Sequence, residues 1–332
     1  MTALNNFRQE RKNDGGRGYT AKLALAFAAI YLLWGSTYLA IRYSVESIPP
    51  LLTAGIRFSI AGSILFAWAW MRGFRPKREH WMAGAIVGAL LFLGSHGMLY
   101  WAEQTVASGQ AALLIATEPM FILIFGWMAG QQKISRLSAL GLGFGLVGVG
   151  LITGVKYATS LSLLGLAAVL LASASWAAGV VISPRVRLPA DALARTAIPL
   201  LCGAVMLLIA AGVTGEIQRT QWSAISLRSV LGLGYLITFG SVVAFTAYMW
   251  LLQRCPPTLV ATHAYANPVV AILLGWLFAS EQVGARVLFA SAAILGAIVL
   301  IRQGERRVAT PTPTPAALPT GANRGKEQAL AG

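Results

Sequence analysis

The chain has 332 residues, 57% of them hydrophobic and 11% charged, with a net charge of +15 and a mean hydropathy of +0.67. A soluble domain carries about 25% charged residues, so an ordinary soluble enzyme is excluded, and the basic residues fall between apolar stretches rather than in an aromatic-interleaved stripe, which excludes nucleic-acid binding. The two cysteines, Cys202 and Cys255, lie in different apolar stretches and make neither a disulfide framework nor a CxxC pair.

In chain order, Arg8, Arg11, Lys12 and Arg17, followed by Lys22, make a basic start, of which residues 1–21 are expected to be disordered. The apolar stretch behind it runs about 20 residues without an AxA cleavage site, which predicts a retained membrane helix rather than a signal peptide. Cutting the chain at charged or proline-marked joints predicts an all-α membrane protein of ten transmembrane helices, near 22–43, 50–71, 81–102, 106–130, 136–154, 162–183, 192–213, 228–252, 257–279 and 285–302. The joints are short and leave no room for a soluble catalytic domain. Residues 304–332, with the stretch ATPTPTPAALPTG from 309, cannot build a core and are expected to be disordered. With the N-terminus inside, 19 of the 26 Lys and Arg residues fall on the cytoplasmic side, so both termini are predicted to be cytoplasmic.

The fourth and ninth predicted helices say nearly the same thing twice: LLIATEPMFILIFGW at 113–127 and THAYANPVVAILLGW at 262–276. Glu118-Pro119 and Asn267-Pro268 are 149 residues apart, and each proline is followed at the same distance by a Gly-Trp pair. Trp101 and Gln104 find Trp250 and Gln253 at that offset, and Trp34 finds Trp176 with a small gap. This predicts two five-helix units, 22–155 and 156–303. Because five is odd, the second unit enters the membrane from the opposite side, which is the inverted repeat of alternating-access transporters. At 1.5 Å per residue Glu118 lies about 18 Å, and Asn267 about 15 Å, from the nearer helix end, close to the midplane. Pro119 and Pro268 each free a backbone carbonyl and are expected to bend their helices around a central polar site.

Candidate site residues follow from that depth. Glu118 is a proton carrier or substrate partner by default, or else a structural partner of Arg57 or His96. Arg57 is expected to pair with Glu118 or Glu103, and otherwise to receive a substrate carboxylate. Trp34 and Trp176 offer apolar walls away from the interface, while Ser36, Thr37, Tyr38, Tyr100, Tyr248, Tyr265 and Asn267 offer polar contacts. His96 and His263 are candidates of the same kind, with packing as the competing role for each. Trp101, Trp127, Trp250 and Trp276 read as the interfacial belt. GFGLVG at 143–148 fits GxGxxG but has no preceding strand, and LGSHG at 93–97 misses GxSxG, so neither a dinucleotide nor a nucleophile elbow is expected. The pairs Gly84/Gly88 and Gly141/Gly145 instead have the spacing of close helix approach. No cofactor or metal is expected.

The stretch WGSTYLAIRYSVESIPPLLTAGIRFSIAG at 34–62, the two proline helices and the ten-helix duplication resemble the EamA family of the drug/metabolite transporter superfamily over residues 22–302. The resemblance implies a bacterial inner-membrane exporter or permease of small metabolites, with a central cavity between two four-helix bundles and the fifth and tenth helices peripheral. The two prolines match family positions, but the residue before them varies, so Glu118 inherits no role. The expected function is a secondary active transporter that exports an amino acid or drug-like compound by alternating access, with proton entry as the energy source. An intramembrane enzyme using Glu118 and a histidine as acid and base is the alternative, without paired aspartates, HExxH or a Ser/His arrangement to support it. An organic-phosphate or nucleotide-sugar exchanger would want several cavity cations, where the sequence offers Arg57 and marginally Arg42. The expected partners are a small-molecule substrate and the lipid bilayer, with no nucleic acid; the sequence sets no oligomeric state and is compatible with a monomer.

Overall fold

The computed structural model describes residues 17–130, 134–153, 160–252, 254–255, 260 and 263–309. Among them there is no β-strand. The helices are α1 (Arg17–Ser44), α2 (Pro50–Met71), α3 (Arg78–Ala102), α4 (Ser108–Met128), α5 (Arg136–Thr153), α6 (Ser160–Ile182), α7 (Ala192–Val213), α8 (227–252), α9 (His263–Ala279) and α10 (Ala285–Ala309). By length and hydropathy eight of these are able to cross a membrane, while the apolar helices at Arg136–Leu151 and Ala266–Ala279 are shorter. α1 begins at Arg17 rather than 22, and α10 runs to Ala309 rather than 302. At that second end Gln303, Glu305, Arg306 and Arg307 are good helix formers that prolong the turn past the apolar stretch.

Apolar lipid gives helices no hydrophobic reason to associate, so small residues and close van der Waals contact must hold the bundle. The glycine spacing does this. Gly84 and Gly88 on α3 face α7, where an added Cβ would stand 2.4 Å from Ile198 Cγ2 and 2.5 Å from the Pro199 carbonyl oxygen. Gly141 and Gly148 bring α5 onto α10 against the carbonyls of Ala297 and Ala290, at 2.8 and 3.1 Å from an added Cβ.

The packing partners form an orderly set. α2 lies on α7, α5 on α10 and α4 on α9; α1 lies on α8 and α9, α6 on α3 and α4; α2 touches α8 and α7 touches α3. Exchanging each of the first five helices for the one five places later leaves that set unchanged, whereas the contacts of α1 with α4, α2 with α3, and α10 with α4 and α9 have no counterpart of like extent among the described residues.

The two prolines do different things. α4 is interrupted at residues 116–117, and Pro119 opens the second segment, Glu118–Met128, at a first-turn position where its missing N–H costs nothing. α9 passes through Pro268 as one continuous helix, without the interruption seen in α4. The other irregularities were not anticipated. α3 contains a π segment at Ala89–Gly97 and α8 one at Leu236–Val243, and α7 carries Pro199 in its interior.

Candidate functional site

The π segments position most of the candidate residues, because a wider turn leaves carbonyls available to outside donors. In α8 the Gly240 carbonyl accepts the Trp34 indole N–H at 3.1 Å, which ties α1 to α8. In α3 the Leu90 carbonyl accepts the Ser175 hydroxyl at 2.8 Å, which ties α6 to α3, and the neighbouring Leu91 carbonyl lies 2.8 Å from His96 Nδ1. Each half thus offers a loosened turn to the first helix of the other half.

Two aromatic clusters result. Trp34 stands 4.7 Å from the His263 ring and 5.1 Å from Tyr248, with Nδ1 of His263 3.0 Å from the Val260 carbonyl. Trp176 stands 5.5 Å edge-on to His96, whose ring also meets Phe92 at 5.5 Å and Phe58 at 4.8 Å. The repeat mates Trp34 and Trp176 therefore each pack on a histidine, but the histidines come from different helices. Trp34→Phe keeps the ring contacts and loses the bond to Gly240; the expected cost is about 1 kcal/mol, read as a lowered thermal midpoint in detergent.

Arg57 sits where the clusters approach. Its side chain comes from α2 and is 6% exposed; Nε donates to Ser241 Oγ at 3.0 Å and Nη1 to Tyr100 Oη at 2.9 Å. Nη2 lies beside Gly240, whose added Cβ would be 3.3 Å from it and 2.9 Å from Thr37 Cγ2. The guanidinium also stacks within 5.0 Å of the Phe58 ring. The expected pairing with Glu118 or Glu103 is not made: among the described residues Arg57 has no carboxylate within ion-pair distance. The nearest polar atoms, on Tyr100 and Ser241, take the guanidinium's Nε and Nη1 donors, so no carboxylate is needed to hold its geometry.

The other candidates are distributed around this centre. Ser36 shares a 2.6 Å hydrogen bond with Tyr235 and donates to the Leu33 carbonyl, while the Thr37 hydroxyl donates to the Trp34 carbonyl at 2.6 Å. Those two hydroxyls are largely committed to structure. Tyr38 is buried within electrostatic reach of Glu118 and Glu103. Glu118 is partly exposed at the α4 break, beside Thr117, whose hydroxyl donates to the Leu114 carbonyl and meets Ser173 of α6 at 3.1 Å. The Asn267 Oδ1 atom is buried without a hydrogen-bond partner among the described residues. The side chain of Tyr265 lies outside the described residues. No group of three or more His, Cys, Asp or Glu side chains able to hold a metal occurs among the described residues.

The sequence reading missed Gly240, Ser241, Phe58, Phe92 and the Thr117–Ser173 contact. One signal was available: Gly94-Ser95 and Gly240-Ser241 repeat at an offset of 146, and both dipeptides fall in π segments.

Comparison with known proteins places this architecture. The EamA-like transporter family model matches residues 21–154 and 163–303. The chain belongs to the EamA-like transporter family. It is similar to the Escherichia coli K12 protein named as an uncharacterized inner membrane transporter, YedA, at 39% identity over 289 residues, covering 84% of this chain and 90% of that one. The Bacillus subtilis transporter YoaV is 28% identical over 283 residues, covering 84% and 94% of the two chains. A solved crystal structure of a protein 22% identical superposes with a TM-score of 0.59 over 88% of this chain and 99% of that one, a likeness of fold. The EamA-like protein described here is a multi-pass protein of the bacterial inner membrane and a membrane transporter of the drug/metabolite type. Membership in a family of transporters argues against the intramembrane-enzyme alternative, and no hydrogen bond joins Glu118 to a histidine among the described residues.

Proposed function

We propose that this EamA-like protein is a secondary active transporter that moves a small organic metabolite by alternating access. Its working parts are two inverted five-helix units, 22–155 and 156–303, with ten membrane spans and both termini in the cytoplasm. The observation that carries the reading is that the most extensive helix contacts, α2 on α7, α5 on α10, α1 on α8 and α9, and α6 on α3 and α4, return themselves when the two halves are exchanged, which supports an arrangement closed at one membrane face having a near-equivalent closed at the other. The two stretches matched to the family support the same division. α5 and α10, packed on each other, would stand at the periphery.

The binding surface in this reading is the centre just described. Arg57 supplies a buried cation with a free Nη2 edge, Glu118 a carboxylate at a helix break, Asn267 an unpaired carbonyl, and the Trp34, Tyr248, His263 and Trp176, His96 clusters the apolar walls. One cation and one carboxylate suit a zwitterionic or singly charged organic solute, such as an amino acid, better than a substrate bearing several phosphates. Net export coupled to proton entry is the direction we propose, with Glu118 as the coupling group.

Uptake of an amino-acid and metabolite panel into proteoliposomes, with and without an imposed pH gradient, tests the proposal. Glu118→Gln is expected to keep solute exchange and lose gradient-driven accumulation. Normal accumulation in that variant would assign the glutamate to structure, and no movement of any solute in the wild type would count against transport of this class.

A further inference from the structure

A cluster of charges at the Arg42 end of the bundle is not used by the central site. The Glu281 carboxylate, just beyond α9, accepts four hydrogen bonds: from Arg42 Nη1 at 2.6 Å, from the Ser108 N–H and hydroxyl at 2.8 Å each, and from the Gly109 N–H at 3.1 Å. It joins α1, α4 and α9 in one contact. The backbone is shaped for it. Ser280 takes a φ of 53°, which non-glycine residues rarely adopt, and the Glu281 N–H returns to the Gly275 carbonyl at 3.1 Å. A Cβ at Gly275 would collide with the Glu281 carboxylate, 2.3 Å away.

Glu103 stands beside this latch and accepts none of its side-chain hydrogen bonds. The residue is 2% exposed, and neither carboxylate oxygen makes a hydrogen bond of good geometry among the described residues, the Arg42 backbone N–H being a weak donor nearby. The charged and titratable groups within its electrostatic reach are Arg42 and Tyr38 of α1, Tyr100 of α3 and Glu281. Two carboxylates therefore share one arginine. Helix ends decide which of them is ionised. Glu281 lies on the N-terminal N–H groups of the helix Ser108–Ile115, where the dipole favours an anion. Glu103 is the C-cap of the segment Met98–Ala102, at the carbonyl end, where the dipole opposes one. An ionised carboxylate buried without a well-aligned donor costs several kcal/mol; a protonated one avoids most of that.

We propose that Glu103 is a proton-binding site coupled to the Glu281 latch, holding a proton while the Arg42 end is closed and releasing it when that end opens. The coupling to opening rests on the alternating-access reading; the protonation itself does not. On opening, Glu103 meets water, its dipole and like-charge penalties fall, and the proton leaves to bulk solvent. A cleft of ≈ 420 Å³ beside Glu281, lined by Trp276 and residues 280–284, provides the adjacent aqueous surface. The sign follows from linkage. The closed state binds the extra proton, so acid favours closure and rising pH favours opening, by up to about tenfold in the closed-to-open ratio per pH unit. In the sequence, the residue 149 positions before Glu281 is Gln132, an amide that does not ionise.

Two readouts test this in nanodiscs. Difference infrared spectra in a Glu118→Gln background, which removes the other carboxyl proposed to carry a proton, should show a protonated-carboxyl stretch that disappears when Glu103→Gln is added. In a cysteine-free background, Cys202→Ser with Cys255→Ser, spin labels at Thr105→Cys and Gln282→Cys report the separation across the latch, expected to lengthen as pH rises. Glu103→Gln, which mimics the protonated side chain at the same size, should hold the short distance at every pH, and Glu281→Gln should populate the long one. An infrared band that survives Glu103→Gln, or a label distance that keeps its pH dependence in that variant, overturns the proposal. The infrared result stands whether or not the proteoliposome assay finds a solute, so its failure is distinct from a failure of transport.

Discussion

Arg57→Leu is expected to abolish uptake of carboxylate-bearing solutes while leaving the protein as stable as the wild type or more so. The two effects have opposite signs under the proposed role of Arg57 as the cation that receives a solute carboxylate. It is 6% exposed, satisfied at Nε and Nη1 by Ser241 and Tyr100, and has no carboxylate partner among the described residues. Taking an uncompensated charge out of water costs several kcal/mol. Leucine removes that cost and leaves the Tyr100 hydroxyl without its donor, a loss of about 1–3 kcal/mol. Ser241 keeps its bond to the Leu236 carbonyl at 3.0 Å. The desolvation relief is the larger quantity, so the thermal midpoint should hold or rise. Binding moves the other way: loss of a buried, hydrogen-bonded charge contact costs a ligand about 2–5 kcal/mol, roughly 30-fold or more in affinity. Arg57→Lys keeps the charge but not the fork that engages Ser241 and Tyr100 together, so it should retain only weak transport. Equilibrium binding and thermal unfolding on the same preparations check both halves. A destabilised Arg57→Leu that still binds its solute would make the arginine a packing residue.

That division between stability and function tracks what the sequence revealed. The all-α class and the rough bounds of the long apolar helices were legible because hydropathy is a one-dimensional property; of the ten predicted membrane helices, eight are long and apolar enough to cross, and the predicted joints differ from the described helix ends chiefly at the start of α1 and the end of α10. The glycine pairs were legible for a related reason, since their spacing has one common structural meaning. The site was legible by depth and not by contact. Trp34, His263 and Tyr248 do meet, and so do His96 and Trp176, but nothing in the linear pattern says that Trp34 donates to Gly240 or that Arg57 prefers Ser241 and Tyr100 to a carboxylate. Those choices depend on the π segments, and a π turn has no strong local signature. It forms because α1 and α6 supply outside donors to its carbonyls, a tertiary effect. The unlike behaviour of Pro119 and Pro268 has the same origin. One proline, at the start of a segment after a two-residue break, has a neighbour in the Thr117–Ser173 contact; the other lies within a continuous α9 that packs on α1 where Gly35 faces the Asn267 carbonyl.

Gly88→Ala should be the most disruptive single-methyl change in the bundle. An added Cβ there would lie 2.5 Å from the Pro199 carbonyl oxygen and 2.9 Å from the Gly203 N, which are backbone atoms that cannot rotate aside. The approach is reciprocal, since a Cβ at Gly203 would stand 2.9 Å from the Gly88 carbonyl oxygen and 2.4 Å from Phe92 Cβ. Relief therefore requires α3 and α7 to separate. Overpacking of this kind costs about 1–3 kcal/mol, occasionally more, and Gly88→Val should fail to assemble. The damage extends beyond stability because the π segment begins at Ala89. Moving α3 moves Phe92 and His96, and with them the Phe58 ring under Arg57. Gly143→Ala is the control: it lies within α5, nothing stands within 4 Å of its added Cβ, and replacing glycine in a helix gains up to about 1 kcal/mol. Thermal unfolding in one detergent should thus order the three proteins as Gly143→Ala at or above wild type and Gly88→Ala well below it. Equal midpoints for the two alanine variants would mean that α3 and α7 do not approach this closely, and the placement of His96 against Trp176 would fall with that contact.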